Sequence, residues 1–134
     1  MSDRDRETFR RFLADMIEGR PEACEPVLAE DVVWHWPPFA DQPPMRGREE
    51  AMQFVRDGSR PYYQEGTLAI EFGQVMVQDG EAGCRATLRG TTKKGMPYEN
   101  AYAFFARIAD GKLVEVWEMM DSARFLDQMR ARPE

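Results

Sequence analysis

The chain has one histidine, His35, and two cysteines, Cys24 and Cys84, which lie far apart in its 134 residues. So few soft ligands make no zinc signature, and two separated thiols in a reducing compartment read as buried residues, not a disulfide. There is no glycine-rich phosphate loop, no Gly-x-Ser-x-Gly and no His-Glu-x-x-His, so neither covalent nucleophilic chemistry nor metal hydrolysis is indicated, and no cofactor is expected. Basic residues are in the minority. Eighteen Lys and Arg face 24 Asp and Glu, for a net charge of −6 and a pI near 4.9. The only basic clusters are Arg10-Arg11 and Lys93-Lys94, which gives nucleic acid no face to bind. No apolar run approaches the roughly 20 residues of a membrane span. The N-terminal Met-Ser-Asp-Arg-Asp-Arg-Glu lacks the apolar region of a signal peptide. These features place the protein in the cytoplasm, away from membranes. No repeat, low-complexity tract or linker divides the chain, so residues 1–134 read as one domain.

What the chain does contain is a globular composition, 43% hydrophobic and 31% charged, organised around Tyr98 to Asp121. That stretch reads as two long antiparallel strands joined by Ala109-Asp110-Gly111-Lys112, because Asp-Gly supplies the positive φ of a tight hairpin. Before it, Phe9, Phe12, Leu13, Met16 and Ile17 form one stripe of a helix over 2–18, with Ser2 as the N-cap. A short helix over 22–28 follows, kinked by Pro26. Val32 to Trp36 is a strand stopped by Pro37-Pro38, and 49–56 is another helix. Strands are then expected over 67–72, 75–78 and 84–92. Phe125, Leu126 and Met129 mark a last helix capped by Asp121 or Ser122. The order gives an α+β fold, with helices on one side of a strongly curved antiparallel sheet. A curved sheet closed by a long helix leaves a cone with an internal pocket.

Two side chains stand out chemically. Glu118 sits in an apolar strand. By strict alternation it shares a face with Val114, Val116 and Met120, while Leu113, Glu115, Trp117 and Met119 share the other. Facing inward, it would be a general acid or base with a raised pKa; facing outward, it would be an ordinary carboxylate tied to an arginine. His35, between two tryptophans, reads either as its acid–base partner at a pocket rim or as a half-exposed strand residue. Asn100, Tyr102 and Phe104 share one face of the first hairpin strand, where the first two would orient a ligand. Trp34, Trp36, Phe39 and Trp117 are either further walls or core.

Several of these pieces together carry a resemblance. They are the first helix ending in Glu18-Gly19, Leu28-Ala-Glu-Asp-Val-Val-Trp-His-Trp-Pro, Gly47-Arg48-Glu49, Asn100-x-Tyr102, and Asp110-Gly-Lys-Leu-Val-Glu-Val-Trp-Glu. The chain resembles the nuclear transport factor 2-like superfamily, in its SnoaL-like polyketide cyclase branch. The resemblance implies a cone-shaped α+β barrel, a mostly apolar pocket for a small hydrophobic ligand, and a homodimer formed through the sheet. It fixes the activity poorly, since the superfold hosts isomerases, epoxide hydrolases, cyclases and non-catalytic binding modules. Where steroid isomerases have a tyrosine and two aspartates, this chain has Phe12, Trp36 and Phe104. The acidic position at Glu118 and the polar one at His35 do match the family. The expectation is therefore a cofactor-independent acid–base enzyme of cyclase, isomerase or lyase type, or else a binding module on the same fold.

Overall fold

The computed structural model describes residues 2–134. The N-cap assigned to Ser2 lies outside the described side chains. Helix α1 (Ser2–Ile17) is followed by a single turn, α2 (Pro21–Cys24), and a 3₁₀ segment at Glu25–Val27. Proline ends α2 earlier than expected, because Pro26 has no N–H to continue the helix and fits the first turn of the tighter 3₁₀ segment. Strand β1 (Leu28–His35) begins earlier than its apolar run suggested, and β2 (Met45–Arg46) is only two residues long. Helix α3 (Arg48–Asp57) precedes β3 (Ala69–Phe72), β4 (Met76–Gln78) and β5 (Glu81–Thr91). The hairpin comprises β6 (Pro97–Ala109) and β7 (Lys112–Met120), and α4 (Ser122–Arg130) ends the chain. Asp110 and Gly111 both have positive φ, 53° and 75°, as the sequence of the turn requires.

The seven strands form one open, curved sheet in the order β2-β1-β7-β6-β5-β3, with β4 also on β5. Its neighbours are antiparallel except for β1, which runs parallel to β7. No hairpin links those two strands, so nothing local forces them antiparallel. The helices cover the concave face. Along β6 the burial alternates without a break, and Tyr98, Asn100, Tyr102, Phe104, Ala106 and Ile108 all point inward. Trp34 of β1, wedged between Phe12 and Phe54 at centroid distances of 5.7 and 5.3 Å, joins α1, β1 and α3 in one core. Both thiols are free and buried. Among the described residues no helix is long and apolar enough to cross a membrane.

Strand β7 departs from simple alternation. Ile108 pairs with Leu113 and Arg107 with Glu115, so Val114 is an extra, unpaired residue. Such a bulge shifts the pleat by one position. Leu113 and Val116 are therefore both fully buried on the inner face, whereas strict alternation had put them on opposite faces. Beyond the bulge Glu118 keeps the inner face, opposite Phe104 across the strands.

Candidate functional site

The helices and the concave face of the sheet enclose a cavity of about 610 Å³. Its floor is the hairpin, from which Tyr102, Glu118 and Met120 project. Met16 and Ile17 at the end of α1 form one wall, and Phe54 and Val55 of α3 another. Trp36, just past β1, packs edge-on against Phe54 at 5.1 Å. The remaining side is aromatic. Phe125 of α4 packs against Phe39 at 5.7 Å and Tyr62 at 5.4 Å.

Tyr62 and Tyr63 are held by backbone bonds. Both amides donate to the Ser59 carbonyl at 3.0 Å, and the Tyr62 carbonyl accepts from Lys93 N–H at 2.9 Å. Tyr63 also bridges Thr92. The α4 side is fixed as firmly. Asp121 caps that helix, its carboxylate accepting from Arg124 N–H at 3.1 Å. The Gln128 side chain and the Glu99 backbone exchange two hydrogen bonds, of 2.9 and 2.8 Å.

Among the described residues Glu118 is the one charged residue that lines the cavity. Part of its surface remains accessible where it lines the cavity. Burial pushes its pKa up from 4.5 to about 7, and no neighbouring charge or hydrogen bond opposes the rise. Two phenols lie close enough to feel its charge. Tyr63 and Tyr102 are both held protonated well above the ordinary phenol range, first by burial and then by neighbouring phenols, with Glu118 adding to the effect. The Tyr102 hydroxyl is 2.7 Å from that of Tyr98. Tyr98 in turn accepts from Asn100 Nδ2 at 3.2 Å, and the same amide donates to the Asp121 carbonyl at 3.0 Å. A carboxyl group that exchanges a proton near neutral pH, beside an anchored phenol in an apolar chamber, can perform acid–base chemistry.

The structure sorts the residues singled out in the sequence. Glu118, Tyr102 and Trp36 face the cavity, and Phe39 is on its aromatic side. Trp34 and Phe104 are completely buried in the core, and Asn100 is 1% exposed behind the wall, where it anchors Tyr98. His35 and Trp117 lie on the other face of the sheet. They are register partners on β1 and β7, and their rings stack at 5.1 Å with an interplanar angle of 6°. Trp117 is the immediate neighbour of Glu118 in an extended strand, so the two side chains point to opposite faces. The histidine therefore does not partner Glu118. Its Nε2 lies 2.6 Å from Glu115, which also accepts from Arg107 at 3.2 Å. The bond to His35 is the largest influence holding Glu115 below the ordinary carboxylate range.

Tyr62, Tyr63, Met16 and Phe54 are cavity residues that sequence reasoning did not single out. Met16 and Phe54 were indistinguishable from core positions on their helices. The signal for the tyrosines was an aromatic pair in a loop, with no periodicity to explain it.

The fold has counterparts in known structures. A SnoaL-like protein from Jannaschia sp. CCS1, provisionally identified as a polyketide cyclase, superposes with a TM-score of 0.84 at 15% identity, covering 98% of this chain and 95% of that one. IdmH from Streptomyces antibioticus, also provisionally a polyketide cyclase, gives 0.78 at 20% identity, covering 95% and 99%. A provisional ketosteroid isomerase from Kribbella flavida DSM 17836 gives 0.70 at 17% identity, covering 89% and 78%. At such identities the likeness is one of fold. No curated protein matches the sequence significantly. The SnoaL-like domain model matches residues 9–116, a span that runs from Phe9 within α1 to the buried Val116 of β7, and the chain thus belongs to the SnoaL-like family of the nuclear transport factor 2-like superfamily.

Proposed function

We propose that the protein is a cofactor-independent enzyme that moves a proton on a small hydrophobic molecule, in a cyclisation, isomerisation or related lyase step. The reading rests on one observation. Glu118 stands in an apolar cavity with no counter-charge, and burial brings its pKa to about 7. At that value both protonation states are populated at neutral pH, which suits a group that must accept and return a proton. Tyr102 is the neighbouring donor for a developing oxyanion, held in place by Tyr98. His35 has no role in this scheme, because it lies on the other face of the sheet.

Proton exchange tests the reading without knowledge of the natural substrate. In D₂O, the parent protein should accelerate loss of the α-proton NMR signal of small arylalkyl ketones by at least about 10²-fold over buffer, the lower range for a positioned base. Glu118→Gln should remove that acceleration. Ketones that bind without any exchange would instead support a non-catalytic binding module. That second reading is favoured by Phe12 and Phe104, apolar and buried at two positions where steroid isomerases carry functional side chains.

A further inference from the structure

The charge balance of the cavity narrows what it can hold. Among the described residues no lysine, arginine or histidine lines it. An anionic head group would find neutral donors there, such as Tyr102, Ser59 and Gln42, but no counter-charge, and it would share the cavity with Glu118. The opposite holds for a cation. Five of the aromatic rings that line the cavity fall in two groups, Trp36 edge-on to Phe54, and Phe125 in tilted and T-shaped contact with Phe39 and Tyr62. Among the described residues the only cation over a ring is Arg10 on Phe72, outside this cavity. Among the described residues, the rings and the carboxylate that line this cavity are thus both without a positive partner.

We infer that the cavity takes a hydrophobic organic cation, a tertiary or quaternary ammonium compound whose charge sits among the aromatic rings and against Glu118. Ring faces attract an ammonium group most strongly when water is excluded, and a carboxylate adds a direct ion pair. The inference rests on the proposal that this cavity binds a ligand, and adds to it the charge of that ligand. It also gives the proposed base a switch. A bound cation favours ionised Glu118, so the proper ligand itself converts the acid to the form that can accept a proton.

Three probes that share a phenyl ring separate the possibilities: benzyltrimethylammonium, 4-phenylbutan-2-one and 3-phenylpropanoate. Binding is followed by the indole N–H signal of Trp36 in a ¹H–¹⁵N spectrum. The ammonium compound should bind at least about tenfold more tightly than the ketone, as one desolvated cation–π contact plus an ion pair warrants. The carboxylate should not bind. Glu118→Gln should bring the ammonium affinity down to that of the ketone. A second measurement needs no variant. The probe carries a permanent charge, so its affinity should rise from about pH 5.5 to about pH 8 as Glu118 ionises; the other titratable groups facing Glu118 are the phenols of Tyr62, Tyr63 and Tyr102. If the ketone binds as tightly as the cation, if the preference survives Glu118→Gln, or if affinity is flat with pH, the charge inference is overturned while ligand binding stands. If no probe moves the Trp36 signal, both fall.

Discussion

A carboxyl group enclosed without a counter-charge costs the fold stability as soon as it ionises. For Glu118 the sign is definite. Its folded pKa of about 7 lies above its ordinary value of 4.5, so the folded state holds the proton more tightly than the unfolded chain. That contribution is fully present below about pH 4.5 and is lost as pH rises through about 7. The shift corresponds to at most about 3 kcal/mol. Glutamine keeps the shape and cannot ionise. Thermal melts should show Glu118→Gln close to the parent at pH 4.5 and more stable by up to that amount at pH 8.5. A gap that does not widen with pH would mean that Glu118 is solvated and not enclosed. Glu118 as an acid in an apolar strand was legible in the sequence, although Glu115 gave the other face a glutamate too. The separation of His35 from it was not. Which face His35 takes depends on how β1 pairs with β7, and those strands lie some 80 residues apart in the chain, with no turn to set the register.

Elements were easier to read than their junctions. Amphipathic helices and the Asp110-Gly111 turn follow from local rules, and they stand where periodicity put them. The bulge at Val114 does not, because no residue type there marks it; it shows only in the β6–β7 register. The end of β7 shows how a junction serves the site. Asp121 caps α4 with a 3.1 Å bond to Arg124 N–H, and α4 carries Phe125 over the cavity. Removing a capping side chain costs about 1 kcal/mol. Asp121→Ala should therefore lower stability by about that much and weaken ligand binding in the cavity as Phe125 loosens. Asp121→Ser, which restores a cap acceptor, should recover most of both. Chemical denaturation of the three proteins makes the comparison, and an alanine variant as stable as the parent would show that the Gln128–Glu99 clamp alone holds the helix.

At the scale of the molecule, the two faces of the sheet have opposite characters. The inner face is helix-covered and holds the cavity. The outer face carries Phe105 and Met119, 42% and 40% exposed, beside the stacked pair Trp117 and His35. Phe105, Trp117 and His35 are successive register partners across β6, β7 and β1. Phe105 also leans over Gly83, where a Cβ would come within 2.7 Å of its ring. An apolar row of this kind on a sheet is what an isologous partner covers, and we propose that a second copy of the chain packs there. The His35–Glu115–Arg107 chain beside it would then be a positioned polar border, which accounts for a histidine unused by the cavity. Sedimentation velocity should find the parent a dimer at micromolar concentration. Phe105→Lys, which puts a charge at the β6 end of the row, should shift it to monomer while Trp36 still reports binding in the cavity, because the two faces share no side chain. A parent that sediments as a monomer would overturn the dimer. If Phe105→Lys lost cavity binding along with the dimer, the site would need its partner, and the cavity of one chain would not be the functional unit.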